Sequence, residues 1–273
     1  MLEKLKSLFR KLKFNKLNQK VTEQLEEFTL NYKNFTVYYS KGTSLIKRII
    51  EQGDYEPEIS EVIIKELSGI ENPLVIDIGA NIGLMSISVL HEIPNAKIYA
   101  FEPGPHQFKL FSKTIETNKI NGKILLSPIA LSNQKGTAIF QIHSSEDASG
   151  DGFFDTERAG ATEGIEVKTD TLDNWWIANN QPKVDFIKMD TEGAEYWILQ
   201  GGKHLIEKCR PIMIAEIFEQ NIKNYPFKLA DVIDYIWEIG YEIQTPQREN
   251  VTSENLTAVL KKENTFLLKP ISK

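Results

Sequence analysis

The sequence predicts an α/β protein built on one mostly parallel sheet with helices on both faces. Three observations carry that expectation. From Pro73 onward, apolar β-rich runs alternate with helical segments. Most of those runs are continuous instead of alternating, as strands buried on both faces require. The first of them runs directly into a glycine-punctuated turn, Asp77-Ile-Gly79-Ala80-Asn81-Ile-Gly83, ahead of a helical stretch.

The elements follow in chain order. Residues 1–20 hold seven Lys or Arg against one Glu, which leaves the remainder near −12 within a total of −6. Leu2, Leu5, Phe9 and Leu12 recur at the period of one helix face with lysines around them, so residues 1–50 read as a basic amphipathic, helical extension. Such a helix is either a surface anchor for anionic lipid or a partner protein, or a solvated helix packing its leucines on its own domain; the second reading is the simpler. A single domain is expected over 51–273. Its strands are 74–78, 97–101, 123–129, 184–189 and 212–217, with helices at 83–92, 105–118, 192–200 and 228–239. Pro105 suits a first helical turn. The last strands, 241–244 and 265–269, form a terminal antiparallel hairpin, with 257–261 as a further partner. Residues 136–177 form an insertion flanked by strands at 137–142 and 165–168. Its middle, rich in glycine and polar residues, reads as a mobile lid over 143–160, whose Phe153 and Phe154 would be exposed unless they close over an acceptor or a partner.

Composition excludes several classes. The 273 residues are 41% apolar and 26% charged, close to a globular average, and no run approaches the ~20 apolar residues of a membrane-spanning helix. No signal peptide is apparent. Cys209 is the single cysteine and there are four histidines, so neither a disulfide framework nor a Cys-based metal site is expected, and a reducing cytoplasm fits. The acidic balance argues against a nucleic-acid partner.

The glycine turn is a nucleotide-binding turn in form: Gly79 takes conformations closed to other residues, and Gly83 lets helix and strand pack closely. Glu102 ends the next strand, where an acid accepts hydrogen bonds from both ribose hydroxyls of an adenosine. Asp77 would repel a pyrophosphate but suits the ammonium of a methionine moiety, so S-adenosylmethionine is favoured over a dinucleotide. The plain alternative for Asp77 is a turn or capping carboxylate.

Asp77-Ile-Gly-Ala-Asn-Ile-Gly83, Phe101-Glu-Pro103, Ala130-Leu-Ser132 and Ile187-Lys-Met-Asp-Thr-Glu-Gly-Ala-Glu195 resemble, in order and spacing, the successive motifs of the FkbM family of class I methyltransferases. The resemblance covers about 53–245. It implies a seven-stranded Rossmann-like fold, S-adenosylmethionine as cofactor, and O-methylation of a hydroxyl on a sugar, lipid or natural product, with polysaccharide biosynthesis as the setting suggested by 149–155. By the same resemblance Asp77, Gly79, Ala80, Asn81 and Gly83 belong to the methionine side, Glu102 and Pro103 to the ribose, and Ala130 with Ser132 to the adenine edge. A small-molecule or glycan acceptor is the implied partner.

Asp190 and Glu192 follow an apolar strand and should emerge at the sheet edge where the methyl group is presented. Methyl transfer needs an acceptor in line and a group to take its proton, which a carboxylate can do. Asp190 is therefore a candidate base, with cofactor anchoring or helix capping as the open alternatives. Glu195 reads as a charge that complements the helix N-terminal dipole or orders the strand end, and His143 is the histidine considered as a base. Asp190, Glu192 and Glu216 are oxygen ligands of a common kind, and no metal is expected. A nicotinamide-dependent oxidoreductase and a non-catalytic cofactor-binding module are the competing functions; Asp77, Asn81 and the 190–195 motif speak against the first.

Overall fold

The computed structural model describes residues 26–40, 43–143, 150–157 and 162–271. The amphipathic helix expected over 1–20 lies outside them.

The described chain opens with an antiparallel hairpin, β1 (Glu27–Tyr32) and β2 (Phe35–Ser40), where a helical extension was expected. Its two-residue loop, Lys33-Asn34, has positive φ at both positions (49° and 67°), the conformation of a type I′ turn, which suits right-twisted strands. The hairpin lies against the Pro105–Thr117 helix. Tyr38 N–H donates to Thr114 Oγ1 at 3.0 Å, Thr36 N–H donates to Asn118 Oδ1 at 2.9 Å, and Asn118 returns a bond to the Thr36 carbonyl, so side chains satisfy an edge that no strand pairs. The Ser44–Gln52 helix then crosses the boundary expected at residue 50 and leads to the Pro57–Leu67 helix.

The central sheet joins β3 (Leu74–Ile78), β4 (Lys97–Phe101), β5 (Ile124–Ser127), β9 (Phe186–Met189), β10 (Ile212–Glu216), β11 (Tyr241–Gln244), β12 (Asn250–Val251) and β13 (Thr265–Pro270). Its order is β12-β11-β13-β10-β9-β3-β4-β5. The five strands from β10 to β5 are parallel, and the β10–β13, β13–β11 and β11–β12 pairs are antiparallel. Seven strands are thus as expected, and the eighth is a two-residue edge addition. It sits where 257–261 was expected to pair; there the chain instead forms a short helix, Leu256–Val259. The expected strand 123–129 is shorter, ending at Ser127, and Ala130–Leu131, β6, then joins β7 (Gly136–His143) and β8 (Thr162–Asp170) in a second sheet of order β6-β8-β7.

Alternate residues of the central strands feed two cores. Val75, Ile98, Ala100 and Phe186 pack with the hairpin and the Leu84–Glu92 and Pro105–Thr117 helices. Ile76, Ile78, Ile187 and Met189 pack with the Leu172–Ala178, Glu195–Gly201, Lys203–Cys209 and Leu229–Glu238 helices. Among the described residues no helix is long and apolar enough to cross a membrane.

Candidate active site

A pocket opens at the C-terminal ends of β3, β4 and β9, the place where open α/β sheets bind ligands. The turn after β3 forms its floor. Gly79 has φ +73°, and a Cβ there would stand 1.8 Å from the Asp190 carbonyl oxygen, so the β3 and β9 turns touch because residue 79 has no side chain. Asn81 follows at φ 50°, a region Asn tolerates, with its Oδ1 accepting from the Ile82 N–H at 2.8 Å.

Glu102 faces this turn from the end of β4. One carboxylate oxygen accepts the Asn81 N–H at 2.8 Å and the other the Gly104 N–H at 2.7 Å. Burial pushes its carboxyl up to about 7 against the pull of those two bonds. Pro103 and Ala130 line the same pocket, as do Ala80, Asp190 and Glu192. The sequence motifs therefore meet in space, although Glu102 and Asp190 lie far apart in the chain.

Four predicted residues sit elsewhere. Asp77 is 2% exposed beneath the floor, where Oδ2 accepts from Ser86 at 2.6 Å and Oδ1 lies 3.6 Å from the Lys188 ammonium. Gly83 abuts the Phe111 ring, which a Cβ would meet at 2.1 Å, so it serves the packing of the Leu84–Glu92 helix on Pro105–Thr117. Ser132 packs its carbonyl where Gly201 leaves room. His143 is enclosed: its backbone N–H and Nδ1 reach Asp151 Oδ1 at 2.8 and 3.1 Å, and the Asp151 hydrogen bond raises its pKa against desolvation. The pocket is lined instead by Phe140 of β7 and by Asp151, the partner of His143.

Phe153 and Phe154 are covered by the protein's own aromatic residues: Gly152 pairs with Gln141, Phe153 packs edge-on against Phe140 and Trp197 and lines the pocket, and Phe154 packs against Tyr225 at 4.6 Å. The remainder of the expected lid, 144–149 and 158–160, lies outside the described residues. The expected helix 192–200 begins only at Glu195, because Glu192 (φ 57°) and Gly193 (φ 105°) turn left-handed. That turn brings the carboxylates of Asp190, Glu192 and Glu216 within 4.8 Å of one another, with Asn221 and Asn264 each donating to Glu216 at 3.0 Å.

Glu195 opens its helix and ties down the turn that follows β9. It is 2% exposed and accepts from Thr191 N–H and Oγ1 at 2.8 and 2.7 Å, and burial pushes its carboxyl up to about 7. A folded-state value above the unfolded one adds stability below about pH 4 that is lost as pH rises through about 7. Glu195→Gln keeps the acceptor for Thr191 without the charge. It should melt like the parent at pH 5 and gain about 1–3 kcal/mol over it at pH 8, read by thermal unfolding across that range. An identical pH slope in both proteins would refute the assignment.

The lining residues that sequence reasoning missed include Lys188, Asp151, Leu45 and Tyr55. Lys188 had a signal, a cation inside the apolar strand Phe186-Ile-Lys-Met189. Leu45 and Tyr55 had none, since they precede the region of recognisable motifs.

The family model described as Methyltransferase FkbM domain matches residues 77–243. The 2-O-methyltransferase NoeI of Sinorhizobium fredii is 24% identical over 188 residues, 64% of this chain and 76% of its own length. The methyltransferase sdnD of Sordaria araneosa is 28% identical over 156 residues, 48% of this chain and 60% of its own length. The hexuronic acid methyltransferase AglP of Haloferax volcanii is 23% identical over 159 residues, 58% of this chain and 61% of its own length. The alignments thus leave about two fifths of the last two relatives unspanned. Among solved structures, the methyltransferase FkbM of Methylobacillus flagellatus superposes with a TM-score of 0.49 at 16% identity, covering 74% of this chain and 45% of that one. The matched segment begins at Asp77, takes in every strand end that lines the pocket and spans more than half of the sequence: the chain belongs to the FkbM methyltransferase family.

Proposed function

We propose that this protein transfers the methyl group of S-adenosylmethionine to a hydroxyl of a sugar or glycan. The observation that carries the reading is one pocket in which a side-chain-free turn at Gly79 and the Glu102 carboxylate stand on adjacent strand ends, with Asp190 entering from the next strand on the other side. The names of NoeI and AglP, a 2-O-methyltransferase and a hexuronic acid methyltransferase, support the acceptor class.

The residues present fit the cofactor. Gly79 lets the β3 and β9 turns meet at the pocket floor, and Glu102 is an acceptor held in place by two backbone N–H groups at the pocket wall. When bound, the cofactor supplies a methyl group on a sulfonium, open to in-line displacement by an oxygen nucleophile. Glu102 would accept the ribose hydroxyls and the bare backbone of 79–81 would line the methionine side. Asp190, with its side chain 31% exposed, is placed to take the acceptor's proton at a carboxylate oxygen, and Glu192 stands next to it. Phe153, packed on Phe140 of the insertion, adds apolar surface to the pocket wall.

Glu102 supplies the test. Hydroxyl donors favour its ionised form, which in the free protein is the form above about pH 7. Affinity for S-adenosylmethionine should therefore rise between pH 6 and 8. Glu102→Ala should lose roughly 1–3 kcal/mol of binding at pH 8 and flatten that dependence. Calorimetry measures both. A folded Glu102→Ala protein with parental affinity would remove the carboxylate from the cofactor site.

A further inference from the structure

β9 is buried along its whole length, yet its third residue is a lysine, 7% exposed, directly across from Asp77 in the β3–β9 register. The Lys188 ammonium donates to the Gly79 carbonyl at 3.1 Å and lies 3.4 Å from Asp190 Oδ2 and 3.6 Å from Asp77 Oδ1. Glu56, from the start of the Pro57–Leu67 helix, also acts on it. Desolvation opposes the charge, and the attraction of Asp190, Asp77 and Glu56 outweighs it, so the lysine stays cationic. Buried ion pairs of this kind are weak sources of stability compared with apolar packing of the same volume. A filler of this strand would be apolar. The cation touches both turns that build the pocket: Gly79 on one side and, on the other, Asp190, whose own carbonyl is packed on Gly79.

We infer that Lys188 is the positioning residue of the site, fixing the Asp190 carboxylate against the glycine turn and setting, through its charge, how strongly the pocket prefers a sulfonium ligand to a neutral thioether. The inference rests on the cofactor reading above. Lys188 partly offsets Asp77, Asp190 and Glu56, the last of which also pairs with Arg48. Without it the floor becomes more negative by one unit charge, which favours S-adenosylmethionine over S-adenosylhomocysteine because the two ligands differ by the sulfonium charge. A loosened but otherwise equivalent pocket would weaken both alike.

Calorimetric titration of both ligands into the parent, Lys188→Met and Lys188→Arg proteins tests this, with turnover and thermal melting measured alongside. In Lys188→Met the affinity ratio should shift toward the sulfonium by about fivefold or more, and turnover at saturating cofactor should fall at least about tenfold. Lys188→Arg, which keeps the charge, should hold the ratio within about twofold of the parent. If Lys188→Met does not fold, Asp77→Asn with Lys188→Met is compared with Asp77→Asn alone, and the same shift is expected. Equal weakening of both ligands with an unmoved ratio would overturn the inference and leave Lys188 a structural residue. A parent protein that binds neither ligand would instead overturn the cofactor reading and take this inference with it.

Discussion

Gly79→Ala is expected to lose about 2–5 kcal/mol of stability, and any folded fraction should bind cofactor poorly. Two costs add at this position. A β-carbon at φ +73° is strained in itself, and it would lie 1.8 Å from the Asp190 carbonyl oxygen, an atom of the backbone that no rotamer change can move. Relief requires the β3 and β9 turns to separate. That separation breaks the Lys188 bond to the Gly79 carbonyl and displaces Asp190 from the pocket wall. Gly122→Ala is the control, since nothing stands within 4 Å of its β-carbon and its φ is not in the left-handed region. That change should be neutral or stabilising by up to about 1 kcal/mol. Urea unfolding of the two variants beside the parent decides it. A Gly79→Ala protein within about 1 kcal/mol of the parent would mean that the turns are not in the contact described.

The parts of the site that were legible in the sequence are those whose signal is local. Asp77 to Gly83 could be read because a strand, two glycines and a helix start follow one another within a few residues, and Glu102 because it ends the next apolar run. Asp190 was legible for the same reason. Lys188 was visible as an anomaly, but its role depends on Asp77 and Gly79, more than a hundred residues earlier, and only the β3–β9 pairing brings them together. What covers Phe153 and Phe154 is not legible locally, because burial of a loop aromatic is decided by partners, here Phe140, Trp197 and Tyr225, that no local pattern names. The N-terminal hairpin is a different failure. Aromatic and β-branched residues flank Lys33-Asn34, an adequate hairpin signal, and the strongly helical pattern of residues 1–20 was extended across it. Residues 257–261 are a short apolar run, a length at which strand and helix cannot be told apart by periodicity.

Asp190→Asn should lower turnover far more than stability. The side chain is 31% exposed at the pocket, so an amide of the same shape fits, and Lys188 keeps Asp77 as an ionic partner. Near-normal melting is therefore expected. What the amide lacks is the capacity to take a proton from an acceptor hydroxyl, and a general base contributes about two to four orders of magnitude in rate. Turnover at saturating S-adenosylmethionine should fall at least about tenfold, equivalent to one pKa unit of barrier height. An anchoring role has a different signature: the cofactor dissociation constant rises, and excess cofactor restores the rate. The two are separated by measuring turnover as a function of cofactor concentration in a variant whose melting is unchanged. If the full rate returns at saturation, Asp190 is a binding residue. The proton then goes to Glu192, the carboxylate beside it at the pocket, and Glu192→Gln should show the tenfold loss in its place.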